Sequence, residues 1–401
     1  MTTIRITDRP DRDAKSERFF GGALRILSHS GLHPAEVQLL EQLERLPAAP
    51  AALLVAGNRT GATALAAAAR HPGCRITCHA FDLHHARALL RNLAANGAAP
   101  AFLHDPFVQA PSDLRPLISG LRPPAPLVAC TAAIPAGPYD AALFMATPGT
   151  MTGELILDQL EDIHANLADG GVCVLACEAE SGPLLKQVKA LFGNLSVRFD
   201  QKGLFCASAL KRAPLEKRRT FQAEFTASLP GGEPLKLRSL PGVFCHRRPD
   251  NGGLALAEVA ARDLPPGSRI LDLGCGCGLV GLLLARQAPG SRVSFVDSHA
   301  RALAATRLNL DALGLAGHDL RLSDTGTPET GFDLFAGNPP YYSDFRIAQL
   351  FIDAAYGALR PGGACLLVAK AADKVKALQA ARFGNAESFP RRGYGVVRSL
   401  R

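Results

Sequence analysis

Residues 269–297 read RILDLGCGCGLVGLLLARQAPGSRVSFVD, and the fold turns on this stretch. An apolar run ends on Asp272, and Gly274, Gly276 and Gly278 follow at alternate positions. A helix-like apolar segment comes next, then the Pro289–Gly290 turn, then the run RVSFV closing on Asp297. Strand, glycine loop, helix, strand and terminal acid form the unit with which an α/β sheet grips an adenosine. Glycines let the main chain approach a ligand and aim N–H groups at it, and the helix start favours a carboxylate. Asp297 is suited to accept both ribose hydroxyls. The loop spacing is G-x-G-x-G behind an acidic strand end, not the G-x-G-x-x-G of nicotinamide enzymes, and this favours S-adenosylmethionine.

DLGCGCG with the strand-end Asp297 resembles the cofactor motif of class I S-adenosylmethionine-dependent methyltransferases. The resemblance implies a doubly wound α/β sheet with an added antiparallel last strand. Further pieces arrive in the order it requires. LRLSD, ending at Asp324, is expected as the fourth strand, its acid or main chain meeting the adenine. FDLFAGNPPYY then gives a strand with its active-site loop, and ALRPGGACLLVAK the strand after that. Candidate cofactor contacts are therefore Asp272, Gly274, Gly276, Gly278, Asp297 and Asp324.

Asn338, Pro339, Pro340 and Tyr341 form the candidate catalytic loop. Methyltransferases acting on exocyclic or amide nitrogens carry an [N/D/S]-P-P-[Y/F/W] loop of this kind, which holds the nitrogen to be methylated. Such a nitrogen has its lone pair drawn into a π-system and is a poor nucleophile. The Asn338 side-chain oxygen and the Pro339 carbonyl can each accept one N–H, pulling the nitrogen towards tetrahedral geometry and aiming its lone pair. Two prolines fix the backbone, so little ordering entropy is lost on binding. Tyr341 offers a flat face for stacking, worth roughly 1–3 kcal/mol per base in other systems.

The chain also repeats itself. With LLVAGNRTGATALAAAARHPGCRI from Leu53 set beside LDLGCGCGLVGLLLARQAPGSRV from Leu271 so that Leu54 meets Leu271, Gly57 falls on Gly274 and Gly61 on Gly278. Pro72–Gly73 then falls on Pro289–Gly290 without a gap. YDAALFMATPGT matches FDLFAGNPPY, DGGVCVLAC matches PGGACLLVA, and FGN recurs at 192–194 and 383–385. The first copy has lost chemistry: Val55 stands for Asp272, Arg59 for Gly276, Thr147 for Asn338 and Gly149 for Pro340. An arginine at the loop glycine is expected to fill the space of the cofactor's methionine, although Asp82 can still stand for the acid. The fold class is thus two tandem seven-stranded class I methyltransferase domains, the first degenerate. Residues 1–212 form the degenerate domain and 213–401 the catalytic one, with an N-terminal extension over 213–262.

A duplicated fold with a dead first half resembles the bacterial rRNA guanine-N2 methyltransferases, the small subunit methyltransferase C and large subunit methyltransferase G type. LRSLPGVFCHRRPDNGGLALAEV carries the specific likeness, being similar to that family's LPGVF segment and the D-x-G stretch after it. The resemblance implies that Phe244 and Asp250 to Gly252 flank the cofactor and that Asn338 to Tyr341 hold the guanine amine. The family usually has Phe and then His after N-P-P, whereas Tyr341 and Tyr342 stand here. It implies a ribosomal RNA or ribosomal subunit as partner, methyl transfer without metal, and a monomer. An N6-adenine methyltransferase of tRNA or rRNA, or a glutamine-N5 methyltransferase of release factors, would use the same loop. A duplicated sheet argues against the latter, and the intact loop residues argue against a non-catalytic RNA-binding protein.

Bulk properties agree. At 401 residues two domains are the default. There is no charge-free stretch of membrane-spanning length, and the polar N-terminus lacks a signal peptide's apolar segment, so a cytoplasmic protein is expected. Ten cysteines then read as reduced thiols. Cys275–Cys277 and Cys173–Cys177 read as small or buried residues, not a metal pair. The net charge of +8 suggests a polyanionic partner. So do the basic linker KRAPLEKRR (211–219) and the eight Lys/Arg from Lys370 onward, which could follow an RNA backbone.

Overall fold

The computed structural model describes residues 15–19, 24–28, 32–46, 49–104, 125–148, 151–177, 182–199, 204–340 and 345–401. Two compact units divide the chain, Met1–Phe221 and Gln222–Arg401. The division falls nine residues beyond the expected 212/213, because the linker is tied to the first unit. Lys211 Nζ donates to the Leu167 carbonyl (2.6 Å), Arg218 pairs with Asp162 (3.2 Å), and Arg219 pairs with Glu161.

In the second unit the strands run Arg269–Leu273, Arg292–Asp297, Asp319–Leu322, Phe332–Gly337, Leu359–Ala369, Glu387–Arg391 and Tyr394–Leu400. Numbered along the chain, their order in the sheet is 3-2-1-4-5-7-6, parallel except for the seventh, which runs antiparallel to its two neighbours. The strand carrying LRLS is therefore the third and lies at the edge; it is not the fourth. Central strands such as RILDL are continuous apolar runs because helices cover both faces, which removes the alternation of a half-exposed sheet. Phe332, Phe335, Phe351, Ile352 and Leu367 fill one side of the sheet.

Chain direction reverses outward from Arg269–Leu273: the next strand pairs on one side, and Phe332–Gly337 on the other. This is a topological switch point, where a crevice opens beyond the carboxyl ends of the strands. Register places Leu273 opposite Gly337. The glycine loop and Asn338 thus leave the sheet side by side. An antiparallel hairpin, Ala223–Ala227 with Leu235–Ser239, precedes the helix Asn251–Ala260.

The first unit repeats this plan with eight strands, one more than expected. The fully buried run Leu127–Cys130 inserts between Ala101–Leu103 and Arg75–Ala80, and Ala52–Ala56 and Tyr139–Ala146 follow as the central pair. Its last strand, Phe205–Leu210, is again antiparallel. A separate hairpin pairs Lys15–Phe19 with Leu24–Ser28. Among the described residues no helix is long and apolar enough to cross a membrane.

Candidate active site

Three glycines shape the loop after Arg269–Leu273, each for a different reason. All have positive φ, at 72°, 58° and 84° for Gly274, Gly276 and Gly278. A Cβ on Gly274 would meet the Phe351 ring at 3.1 Å, and one on Gly278 would meet Thr306 at 3.0 Å. Gly276 differs: the nearest atom to its Cβ would be Val243 at 3.9 Å. Its open side is the cradle that a side chain would fill, which suits the close approach of a cofactor.

The acids sort by burial. Asp272, 2% exposed, lies beneath the loop and accepts from the Gly281 N–H (2.8 Å). Burial raises its pKa to about 7 against the Gly281 hydrogen bond, and the Asp297 charge adds to the rise. Asp297 is half-buried at its strand end, accepting from the Gly276 N–H (2.9 Å) and the His299 N–H (2.9 Å). It ties the loop to the second strand and to the residue before the helix Ala300–Ala312. Asp324 follows the third strand, and the residues from Arg321 to Pro328 around it line an open pocket of about 350 Å³.

Residues that carry no motif hold the loop from behind. Thr306 donates to the Gly276 carbonyl (3.0 Å). The fully buried Asn309 donates to the Cys277 and Arg238 carbonyls (2.9 and 2.8 Å) and accepts from the Arg238 N–H (2.7 Å). Arg301 donates to the Pro241 carbonyl (3.1 Å), which fixes the LPGVF segment. Phe244 in that segment is 70% exposed. Cys275 and Cys277 are buried, with thiols raised well above the ordinary range and to about 12 respectively, chiefly by desolvation. No group of metal-ligating side chains occurs among the described residues.

On the other side of the crevice, Asn338, Pro339 and Pro340 follow Phe332–Gly337. Tyr341 and Tyr342 lie outside the described residues. Asp250 meets this loop: its carboxylate caps the helix Asn251–Ala260, accepting from the Gly252 and Gly253 N–H groups (3.0 and 2.7 Å). The same carboxylate accepts from Asn338 Nδ2 at 2.6 Å. A Cβ on Gly252 would stand 3.3 Å from Asn338 Nδ2 and 3.4 Å from the Tyr394 ring. Tyr394 has no sequence signature; Gly395 pairs with Ala369, so this ring reaches the crevice from the C-terminal strand. Lys370 Nζ lies 5.8 Å from the centre of that ring. Glu258, at the far end of the same helix, is buried between Arg391 and Arg392, which anchors the turn before Tyr394.

The matching loop of the first unit is closed on itself. Asn58 Oδ1 accepts from the Thr60 and Gly61 N–H groups (both 2.9 Å). Asn58 Nδ2 donates to the buried Glu36 (2.6 Å), as does the Thr60 hydroxyl (2.6 Å). Arg59, which stands where the second unit has Gly276, is exposed. Asp82 caps the helix Leu83–Ala95 through the His84 N–H (2.8 Å).

The 3-2-1-4-5-7-6 sheet, the glycine loop and the adjacent Asn-Pro-Pro segment give the second unit the fold of the class I S-adenosylmethionine-dependent methyltransferases. Residues 234–398 match the model of the methyltransferase small domain. The chain is similar to ribosomal RNA small subunit methyltransferase C of Pseudomonas entomophila, 34% identical over 173 residues, 42% of this chain and 52% of that protein. The protein of the same name from Chromohalobacter salexigens is 39% identical over 143 residues, 34% of this chain and 42% of that one. The chain spans about half the length of the curated relatives it matches. Among solved structures, the T. thermophilus 16S rRNA N2 G1207 methyltransferase in complex with AdoMet and guanosine superposes with a TM-score of 0.72 at 22% identity. That likeness covers 97% of this chain and 98% of the other and establishes the fold. The resemblance to the rRNA guanine-N2 methyltransferases is borne out.

Proposed function

We propose that this protein methylates the exocyclic N2 amine of a guanine in ribosomal RNA, with S-adenosylmethionine as donor. The second unit carries the catalysis, and the first is a methyltransferase-like unit without it. One observation carries this reading: Leu273 pairs with Gly337, so a glycine cradle and an Asn-Pro-Pro turn share one crevice. The names of the curated relatives support the choice of substrate.

Gly274, Gly276 and Gly278 admit the donor, Asp297 holds its ribose, and Asp324 with its neighbours meets the adenine; Phe244 flanks it. When bound, S-adenosylmethionine supplies an electrophilic methyl group on sulfur. Asn338 Oδ1 and the Pro339 carbonyl each accept one N–H of the guanine amine, localising the nitrogen lone pair and aiming it into the crevice. Pro340 stiffens the turn, and Tyr341 stacks on the base. No strong base is needed, since a methylated ammonium loses its proton readily to water. Guanine N2 is normally engaged by cytosine, so the base must be unpaired or flipped, at a cost of about a few kcal/mol. The target is thus an exposed loop or an incompletely assembled subunit, reached in the cytoplasm by a monomer.

Asn338→Ala tests the assignment. Methyl transfer to rRNA should vanish while calorimetry gives a nearly unchanged affinity for S-adenosylmethionine. A large loss of cofactor affinity instead would place Asn338 in the wrong role.

A further inference from the structure

We propose that Asp250 is a positioning residue that sets which end of the Asn338 amide faces the target nitrogen. The inference rests on the role proposed for Asn338 and goes beyond it, moving Asp250 from the cofactor's surroundings to the polarity of the catalytic turn.

A side-chain amide has two ends of nearly equal size and opposite character: an oxygen that accepts and an NH2 that donates. Shape alone does not choose between them. The choice decides the chemistry, because a guanine amine offers N–H donors. A rotated Asn338 would set donor against donor and leave the lone pair in the ring's π-system. The remedy lies directly beside the amide. The Asp250 carboxylate accepts from Asn338 Nδ2 at 2.6 Å. A carboxylate accepts and does not donate, so the oxygen end of the amide is repelled from this place. Asp250 is itself immobilised by the Gly252 and Gly253 N–H groups (3.0 and 2.7 Å) at the start of a buried helix. Gly252 closes the niche, since a Cβ there would approach Asn338 Nδ2 to 3.3 Å. One carboxylate thus couples a helix cap to the orientation of an amide 88 residues away.

Asparagine caps helices as well as aspartate does, but Asp250→Asn leaves a single oxygen for the Gly252, Gly253 and Asn338 donors that the two carboxylate oxygens now share, so Asn338 loses its dedicated acceptor or meets an NH2. The kcat for rRNA methylation should fall by about ten- to a hundredfold, with affinity for S-adenosylmethionine and thermal unfolding unchanged. Asn338→Asp alone sets two carboxylates against each other and should also be slow. The double variant Asp250→Asn/Asn338→Asp reverses the pair and leaves a carboxylate oxygen for the amine, so most of the lost rate should return. Retention of kcat in Asp250→Asn, a parallel loss of cofactor affinity, or a double variant no faster than the slower single one would overturn the inference. In protein labelled with 15N-asparagine, the side-chain amide protons of Asn338 should move upfield on Asp250→Asn. If they stay, the inference fails whatever the substrate. If they move while the unaltered protein leaves guanine unmodified, the proposed function alone fails.

Discussion

Asp272 shows how a residue named by a motif is bound up with the stability of the fold. Its carboxylate is sealed beneath the glycine loop, and burial raises its pKa to about 7 from an ordinary value of 3.8. An acid whose folded pKa is raised takes up a proton on folding between those two values. The stability it contributes is full below about pH 4 and is lost as pH rises towards 7. Asp272→Asn removes this titration and keeps an acceptor for the Gly281 N–H. Urea unfolding of both proteins at pH 5 and pH 8 should show the variant gaining on the parent at the higher pH. The gain should reach at most about 1.4 kcal/mol per pH unit within the window; a pH-independent difference would show that Asp272 does not titrate there. The glycines, Asp297 and Asn338 are legible in the sequence because their chemistry requires fixed residue types within short stretches. Tyr394 and Asn309 are not, because a lone tyrosine or asparagine gains its meaning only from partners that the fold brings to it. Asp250 is intermediate: its D-x-G setting marks it, but its bond to Asn338 spans the fold.

Among the elements, the helix Ala300–Ala312 matters more to the site than its sequence suggests. Its Thr306 and Asn309 bind the glycine loop, and Asn309 also joins the strand Leu235–Ser239. Three elements therefore meet at one amide that has no exposure to water. Asn309→Ala would strand the buried Cys277 carbonyl and the half-buried N–H and carbonyl of Arg238, and it should lower unfolding free energy by about 2–3 kcal/mol in urea titrations. Cofactor affinity should weaken with it, because the Cys277 carbonyl would lose its tether. A loss below about 0.5 kcal/mol, the range of ordinary surface changes, would mean that water replaces the amide freely. The strand and helix order is legible because apolar runs, glycine turns and strand-end acids punctuate it. The extra strand Leu127–Cys130 is not, since its four apolar residues fit a buried loop equally well.

At the scale of the whole chain, one fold occurs twice with different consequences, and charge is spent locally. Lys211, Arg218 and Arg219 of the basic linker are taken up by carbonyls and acids of the first unit. Arg382, Arg391, Arg392 and Arg398 near the C-terminus pair with Asp353, Glu258 and Asp263. A charge count reads these as an RNA-facing excess because pairing partners are invisible in composition. Lys370 and Lys374 lie instead over the Tyr394 and Phe345 rings. The same contrast applies to the duplicated loop. Arg59 marks the first copy as degenerate, yet the arginine is exposed while Asn58 consumes the Thr60 and Gly61 N–H groups and Glu36 locks Asn58 in place. Desolvation raises the pKa of Glu36, so the network is a buried structural one. Restoring the glycine with Arg59→Gly therefore leaves the donors occupied. Calorimetry should still give one S-adenosylmethionine per chain, and the rate of rRNA methylation should stay almost intact. A second binding event would mean that Arg59 alone had closed the loop, and a major loss of rate would mean that the first unit takes part in the reaction.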